Sequence, residues 1–156
     1  MEIERKFIIK KLPDDLGSYP SRFIEQAYLN TDPVVRIRRE DDECYLTWKG
    51  RGLMVREEYN LPLNLPSYRH MRSKADGNVI SKRRYRIPFG PYTIELDVFC
   101  PPFSPLVMAE VEFGDTESAN AFLPPDWFGR EVTQDPAYHN SNLSTAGRCP
   151  DSFFIL

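Results

Sequence analysis

Residues 1–7 read MEIERKF, and polar and apolar positions alternate along this stretch. Glu2, Glu4 and Lys6 stand at every second position and are interleaved with Ile3 and Arg5. Successive side chains of a β-strand point to opposite faces of the sheet, so a strand here places two carboxylates and an ammonium in one row. The stretch therefore predicts an N-terminal strand with a charged face.

Length and charge restrict the partners that the chain can have. A chain of 156 residues is long enough for one domain that buries about 70% of its unfolded surface. Its net charge of −3 gives no general attraction for nucleic acid, so a polyanion must be bound by a local group of basic residues. No apolar run approaches the roughly 18 residues of a spanning helix, and we expect no membrane partner.

The cysteines and the N-terminus indicate the compartment. Cys44, Cys100 and Cys149 are odd in number and lack the spacing of a metal site or a CxxC motif. The chain starts directly on the charged strand instead of an apolar leader. We therefore expect an unexported protein of the reducing cytoplasm.

The alternation of the first strand recurs along most of the chain. Further strands are predicted over residues 24–29, 34–40, 44–50, 54–62, 80–88, 93–99 and 106–113. Helices are predicted over 65–75, capped by Asn64, and over 117–122, capped by Asp115 or Thr116. Connections between the strands are mostly short, as in antiparallel hairpins. The pattern predicts an α+β protein, mainly antiparallel β, with about eight strands.

Two architectures fit this pattern equally well. A flat sheet could bury its apolar face and leave its charged face in water, or the sheet could close into a barrel with a charged lumen. Periodicity does not distinguish them, because both bury the same face. The sign of the charge, however, is segregated between strands, since acids dominate 93–99 and 106–113 whereas bases dominate 34–40 and 80–88. A lumen built this way would hold a divalent metal through oxygen ligands and phosphates through cations.

Sequence motifs carry a more specific signal than periodicity. Residues 2–6 form an ExExK motif. It is followed, in order, by RIRRE at 36–40, YLTWKG at 45–50, REEY at 56–59, KRRY at 82–85, IELDVF at 94–99, AEVEF at 109–113 and FGREVTQDPAYHNSNL at 128–143. With these blocks the chain resembles the CYTH superfamily, also called triphosphate tunnel metalloenzymes. The resemblance covers one domain, residues 1–143. The tail at 144–156 matches nothing, and we expect it to pack on the exterior or to be disordered.

The resemblance implies a fold and an activity. The fold is a closed eight-stranded antiparallel β-barrel that forms a charged tunnel, with helices packed outside. The activity is hydrolysis of a small polyphosphate, inorganic tripolyphosphate, to pyrophosphate and phosphate, with Mg²⁺ or Mn²⁺ as cofactor. Metal ligands carried over from the family are Glu2, Glu4, Glu95, Asp97, Glu110 and Glu112. Phosphate-binding residues carried over are Lys6, Arg36, Arg38, Lys49, Lys82 and Arg84, and the catalytic residues are Lys6, Lys82 and Glu58.

Several alternatives stay open at this point. Thiamine triphosphatase and adenylyl cyclase are activities of the same family, but both need a pocket for an organic group, and this chain shows no insertion to supply one. A non-catalytic module that binds polyphosphate or nucleotide is the alternative from another class. Arg56, Glu58 and Asn60 share a face where many relatives carry only acids, so the number of metals is open, as is the acid that orients the water. We expect a monomer or homodimer, with His70 and His139 at the surface.

Overall fold

The computed structural model describes residues 1–150 and contains in them ten strands and three α-helices. The strands are β1 (Glu2–Ile9), β2 (Ser21–Thr31), β3 (Val34–Glu40), β4 (Glu43–Lys49), β5 (Val55–Arg56), β6 (Glu58–Leu63), β7 (Asp76–Phe89), β8 (Tyr92–Phe99), β9 (Val107–Glu112) and β10 (Phe128–Glu131). The helices are α1 (Leu65–Arg72), α2 (Thr116–Ala121) and α3 (Asn140–Ala146). None of the helices within residues 1–150 is long and apolar enough to cross a membrane.

All strands join one antiparallel sheet that returns on itself. The strand order is β10-β1-β9-β8-β7-β2-β3-β4-β6, and β5 pairs back onto β1 through Glu2 and Arg56. β5 and β6 form one strand interrupted at Glu57, so this pairing closes the sheet into a barrel. The predicted antiparallel barrel is confirmed. The total of ten strands arises because β5 and β6 are separate segments and because β10 extends the sheet beside the second half of β1.

The helices differ from their predicted bounds at the ends. Asn64 caps α1 as predicted, and its side chain accepts a hydrogen bond from the Ser67 amide at 2.8 Å. The helix ends at Arg72, three residues before the predicted end, because the chain turns there to begin β7. Asp115 caps α2. Helix α3 was not predicted, since its sequence NSNLSTA is poor in strong helix formers.

The outer face of the barrel is covered by the helices and by β10. Phe7 of β1 packs against Phe122 at the end of α2 and Phe128 of β10, while Tyr68 of α1 covers another part of the sheet. Arg5, which points outward beside Phe7, donates two hydrogen bonds to Glu131 at 2.9 and 2.7 Å. The apolar positions that alternate with the charged row therefore lie on the outer face, under these covers.

One end of the lumen is filled by apolar side chains. On the inner face of five strands, β1, β3, β7, β8 and β9, the charged row ends in an apolar residue. These residues belong to a single buried cluster: Ile8, Val34, Ile80, Phe99 and Met108. Tyr138, Leu143 and Cys149 complete the cluster from the C-terminal segment. The lumen therefore has a blind end.

The tail expected to begin at residue 144 is partly described. Helix α3 runs across residue 143, and Ser144 and Cys149 are buried, so residues 144–150 are packed against the barrel. Residues 151–156 lie outside the described residues, and the limit of the domain at residue 143 stays a prediction.

Candidate active site

The lumen contains a polar cavity of about 350 Å³. The predicted residues that line it are Glu2, Glu4, Lys6, Arg36, Arg38, Lys49, Glu58, Arg84, Glu95, Glu110 and Glu112. Glu40, Tyr45, Asn60 and Asn140 line it as well. The fold thus brings together charged residues from seven strands, and of the predicted site residues only Lys82 and Asp97 are not in the wall.

Two guanidinium groups of β3 are held in place by neutral side chains. Arg38 donates to Gln26 Oε1 at 2.8 Å and to the Tyr45 hydroxyl at 3.3 Å. Arg36 donates to Thr47 Oγ1 at 3.1 Å, and no carboxylate of residues 1–150 lies within 4.0 Å of it. Arg38 also lies 3.7 Å from Glu40, so Arg36 is the less neutralised of the two. Both side chains are buried and face the cavity, which suits them to bind an anion there.

Lys49 joins two carboxylates across the seam where the barrel closes. Its Nζ lies 2.9 Å from Glu2 and 3.3 Å from Glu58. Burial and the nearby charge of Glu4 raise the pKa of Glu2 to about 8. The pKa of Glu58 is lowered, because its hydrogen bond to Glu2 and the charge of Lys49 outweigh the effect of burial. At neutral pH one proton is therefore retained in this pair, on Glu2.

Lys6 lies between two other carboxylates. Its Nζ is 3.5 Å from Glu4 and 4.0 Å from Glu110. Burial alone would lower the pKa of Lys6, but these two carboxylates raise it. The pKa of Glu110 is held well below its usual range, since Lys6 and Arg84 outweigh burial. Lys6 and Glu110 are therefore both charged over the whole physiological pH range.

Behind the cavity wall lies a fully buried ion-pair cluster. Asp97 accepts two hydrogen bonds from Arg84, at 2.7 and 2.8 Å, and its Oδ2 lies 2.7 Å from Lys82 Nζ. Lys82 and Asp97 are both 0% exposed. Burial lowers the pKa of Lys82 to about 8 despite the carboxylate. In this arrangement Asp97 supports Arg84, and the roles of Lys82 at phosphate and of Asp97 at metal stay predictions.

Carboxylates that could hold a metal are present but are not assembled around one point. The predicted ligands that line the cavity supply the hard oxygen donors that Mg²⁺ and Mn²⁺ prefer, and they are Glu2, Glu4, Glu95, Glu110 and Glu112. Within residues 1–150, no three acidic, histidine or cysteine side chains converge on a common position. The donor chemistry fits a divalent ion, provided that the carboxylates turn away from Lys6 and Lys49.

The structure adds residues that the sequence did not assign to the site. Glu40 follows Arg38 by two positions on β3, so its place in the lumen could have been read from the alternation. His139 was expected at the surface, and this is wrong, because it is only 6% exposed. His139 directly precedes α3 at the blind end of the lumen. Its burial could not be predicted, because no periodic pattern covers this part of the sequence. His70 is exposed, as expected.

Comparison with known proteins identifies relatives along nearly the whole chain. The family model for the CYTH domain matches residues 1–134. An inorganic triphosphatase of Nitrosomonas europaea is 39% identical over 149 residues, which are 92% of this chain and 96% of that protein. An inorganic triphosphatase of Acetivibrio thermocellus is 37% identical over 148 residues, 91% of this chain and 92% of that protein. The crystal structure of an inorganic triphosphatase, 35% identical, superposes with a TM-score of 0.69 and covers 92% of this chain and 94% of its own.

Proposed function

Because this chain belongs to the CYTH domain family, we propose that it hydrolyses inorganic tripolyphosphate to pyrophosphate and phosphate with the help of Mg²⁺ or Mn²⁺. One observation carries the proposal: a single cavity is lined by both the cations that phosphates need and the carboxylates that a divalent metal needs. The named activity of the two bacterial relatives, each matched over more than nine-tenths of this chain, supports the same substrate.

The cations of the wall suit a chain of linked phosphates. Hydrolysis of a phosphoric anhydride requires that the phosphate charges be neutralised and that the terminal phosphorus be held in line with a water molecule. Lys6, Arg36, Arg38, Lys49 and Arg84 would bind the phosphate oxygens. Because these residues lie on four different strands, they would bind a linear polyanion from several sides and restrict its rotation.

The carboxylates of the wall suit the metal. Of the predicted ligands, those in the wall would hold it: Glu2, Glu4, Glu95, Glu110 and Glu112. When bound, a divalent ion neutralises phosphate oxygens and stabilises the charge that develops on the leaving pyrophosphate. Glu58 stays a predicted catalytic residue, and Lys82 stays predicted to bind phosphate and take part in catalysis.

Phosphate release from a substrate panel tests the proposal. With Mg²⁺ we expect kcat/KM for tripolyphosphate to exceed that for thiamine triphosphate and ATP at least about tenfold, because Tyr45 is the only aromatic side chain that residues 1–150 place in the wall of this cavity. A higher kcat/KM for thiamine triphosphate than for tripolyphosphate would mean that the proposed substrate is wrong. Binding of tripolyphosphate by calorimetry without phosphate release over hours would instead indicate the non-catalytic module.

Metal affinity should depend on pH through Glu2. A carboxyl with a pKa of about 8 is protonated at pH 7 and must lose its proton to bind metal. We therefore expect the affinity for Mg²⁺ to rise about tenfold per pH unit below pH 8 and to level off above it. Calorimetry in two buffers of different ionisation enthalpy should detect about one released proton at pH 7. The Glu2→Gln variant should bind Mg²⁺ more weakly and without this release, whereas equal proton release by both proteins would contradict the assignment.

A further inference from the structure

A second, much smaller cavity lies at the blind end of the lumen. Its volume is about 20 Å³, enough for one water molecule. It shares Lys6, Arg36 and Lys49 with the wall of the large cavity, so the two spaces adjoin. The rest of its wall is formed by Tyr28, Val34, Arg56, His139, Asn140 and Ser141.

Two residues that line this small cavity each carry a buried polar atom without a hydrogen-bond partner. Among the buried side-chain nitrogen and oxygen atoms of residues 1–150, Arg36 Nε and His139 Nε2 are the two that have no hydrogen-bond partner. Both side chains are 6% exposed. An unpaired buried polar group is costly, and a water molecule between an N–H donor and a lone-pair acceptor would satisfy both.

The chemistry of His139 determines which of these atoms accepts. Burial and the charges of Lys6 and Arg56 lower the pKa of His139 to about 4, so the ring is neutral near pH 7. A hydrogen bond to the Thr133 backbone raises this pKa, as a bond donated to a carbonyl does, and it places the ring proton on Nδ1. Nε2 therefore carries a lone pair, while Arg36 Nε carries a proton.

We propose that the small cavity holds the water that attacks the terminal phosphorus, and that His139 Nε2 orients this water and accepts its proton. The proposal rests on the proposed function. A linear triphosphate lying along a blind lumen places one terminal phosphate between Lys6, Arg36 and Lys49, next to the small cavity. The water then stands behind the terminal phosphorus, and the pyrophosphate leaves toward the open end, as in-line displacement requires.

The step is balanced without any further reagent. The water oxygen forms a bond to the terminal phosphorus, and the bond from that phosphorus to the bridging oxygen breaks. The bridging oxygen keeps the electron pair and leaves as part of pyrophosphate. One water proton passes to His139 Nε2 and returns to solvent with the orthophosphate, which leaves the neutral ring ready for the next cycle.

Two kinds of variant test the proposal by independent routes. His139→Phe removes the acceptor and should lower kcat about a hundredfold or more, with KM changed less than about threefold, because the loss falls on the transition state. His139→Gln presents an amide oxygen that can orient water but cannot take up a proton, so its kcat should lie between those of the wild type and His139→Phe. Val34→Leu fills the small cavity from its apolar wall and should lower kcat about tenfold or more with His139 intact.

Matched controls separate this effect from damage to the fold. His70→Phe changes the exposed histidine of α1, and Val35→Leu adds the same methylene to the neighbouring residue, on the opposite face of β3. Both controls should keep wild-type kcat, and all rates are referred to folded protein measured by its melting transition. A folded His139→Phe or Val34→Leu variant with wild-type kcat, or a His139→Gln variant no better than His139→Phe, would overturn the proposal. Absence of phosphate release by the wild type would instead overturn the proposed function.

Discussion

Removal of divalent metal is expected to abolish phosphate release from tripolyphosphate, by about a thousandfold or more in excess EDTA. The cavity wall contains acidic and basic residues side by side, and without a metal the carboxylates of Glu4 and Glu110 would repel the substrate. Readdition of Mg²⁺ or Mn²⁺ should restore the rate. Release of phosphate at the wild-type rate in EDTA would falsify the metal-dependent mechanism.

A single ligand should account for much of this effect. Glu4→Gln keeps the size of the side chain but removes its charge, so we expect turnover to fall about a hundredfold or more and Mn²⁺ affinity to fall with it. Glu57→Gln is the matched control, because Glu57 is exposed on the outer side of the same barrel seam. Glu4→Gln should melt near the wild-type temperature. A variant that loses turnover but binds Mn²⁺ as the wild type does would assign Glu4 another role.

The second large effect concerns stability. Asp97→Ala is expected to lower the free energy of unfolding by about 3–5 kcal/mol, because it leaves Lys82 and Arg84 buried without their shared carboxylate. Urea unfolding at pH 7 in EDTA measures this free energy of unfolding without any contribution from bound metal. Glu95→Ala is the control: Glu95 lies on the same strand and contacts Arg84 and Arg86, but its side chain is 20% exposed, so we expect a loss of about 1 kcal/mol or less.

The effect of Asp97 should depend on pH in a defined direction. The pKa of Asp97 in the folded protein is lowered, because the charges of Arg84 and Lys82 outweigh burial. The contribution of Asp97 to the free energy of unfolding is therefore fully present above the unfolded pKa of about 3.9, and it is lost as the pH falls through the folded pKa. The difference in the free energy of unfolding between wild type and Asp97→Ala should therefore narrow in strong acid. An Asp97→Ala variant that unfolds at the wild-type urea concentration but loses Mn²⁺ affinity would make Asp97 a metal ligand instead.

Many of the residues that face the lumen could be predicted from the alternation within single strands. Strand geometry sends every second residue to the same face, so Glu2, Glu4 and Lys6 had to share a side whatever the sheet did next. The same alternation predicted Arg36 and Arg38 in one row. The alternation also indicates the blind end, because two residues further along each strand these rows reach Ile8 and Val34, which lie there. The motifs predicted the family, and the match over residues 1–134 confirms it.

The tertiary structure decided what alternation along a strand leaves open. The choice between sheet and barrel depended on the pairing of Arg56 with Glu2, a contact between distant segments that no local pattern encodes. The depth of a residue in the lumen depends on register across strands, and this is why Lys82 and Asp97 neutralise each other behind the wall although they share a face with residues that line it. His139 entered the site because α3 closes the lumen. A local pattern specifies the side to which a residue points, whereas its neighbours across the barrel, and so its charge state and its access to substrate, are set only when the sheet has closed.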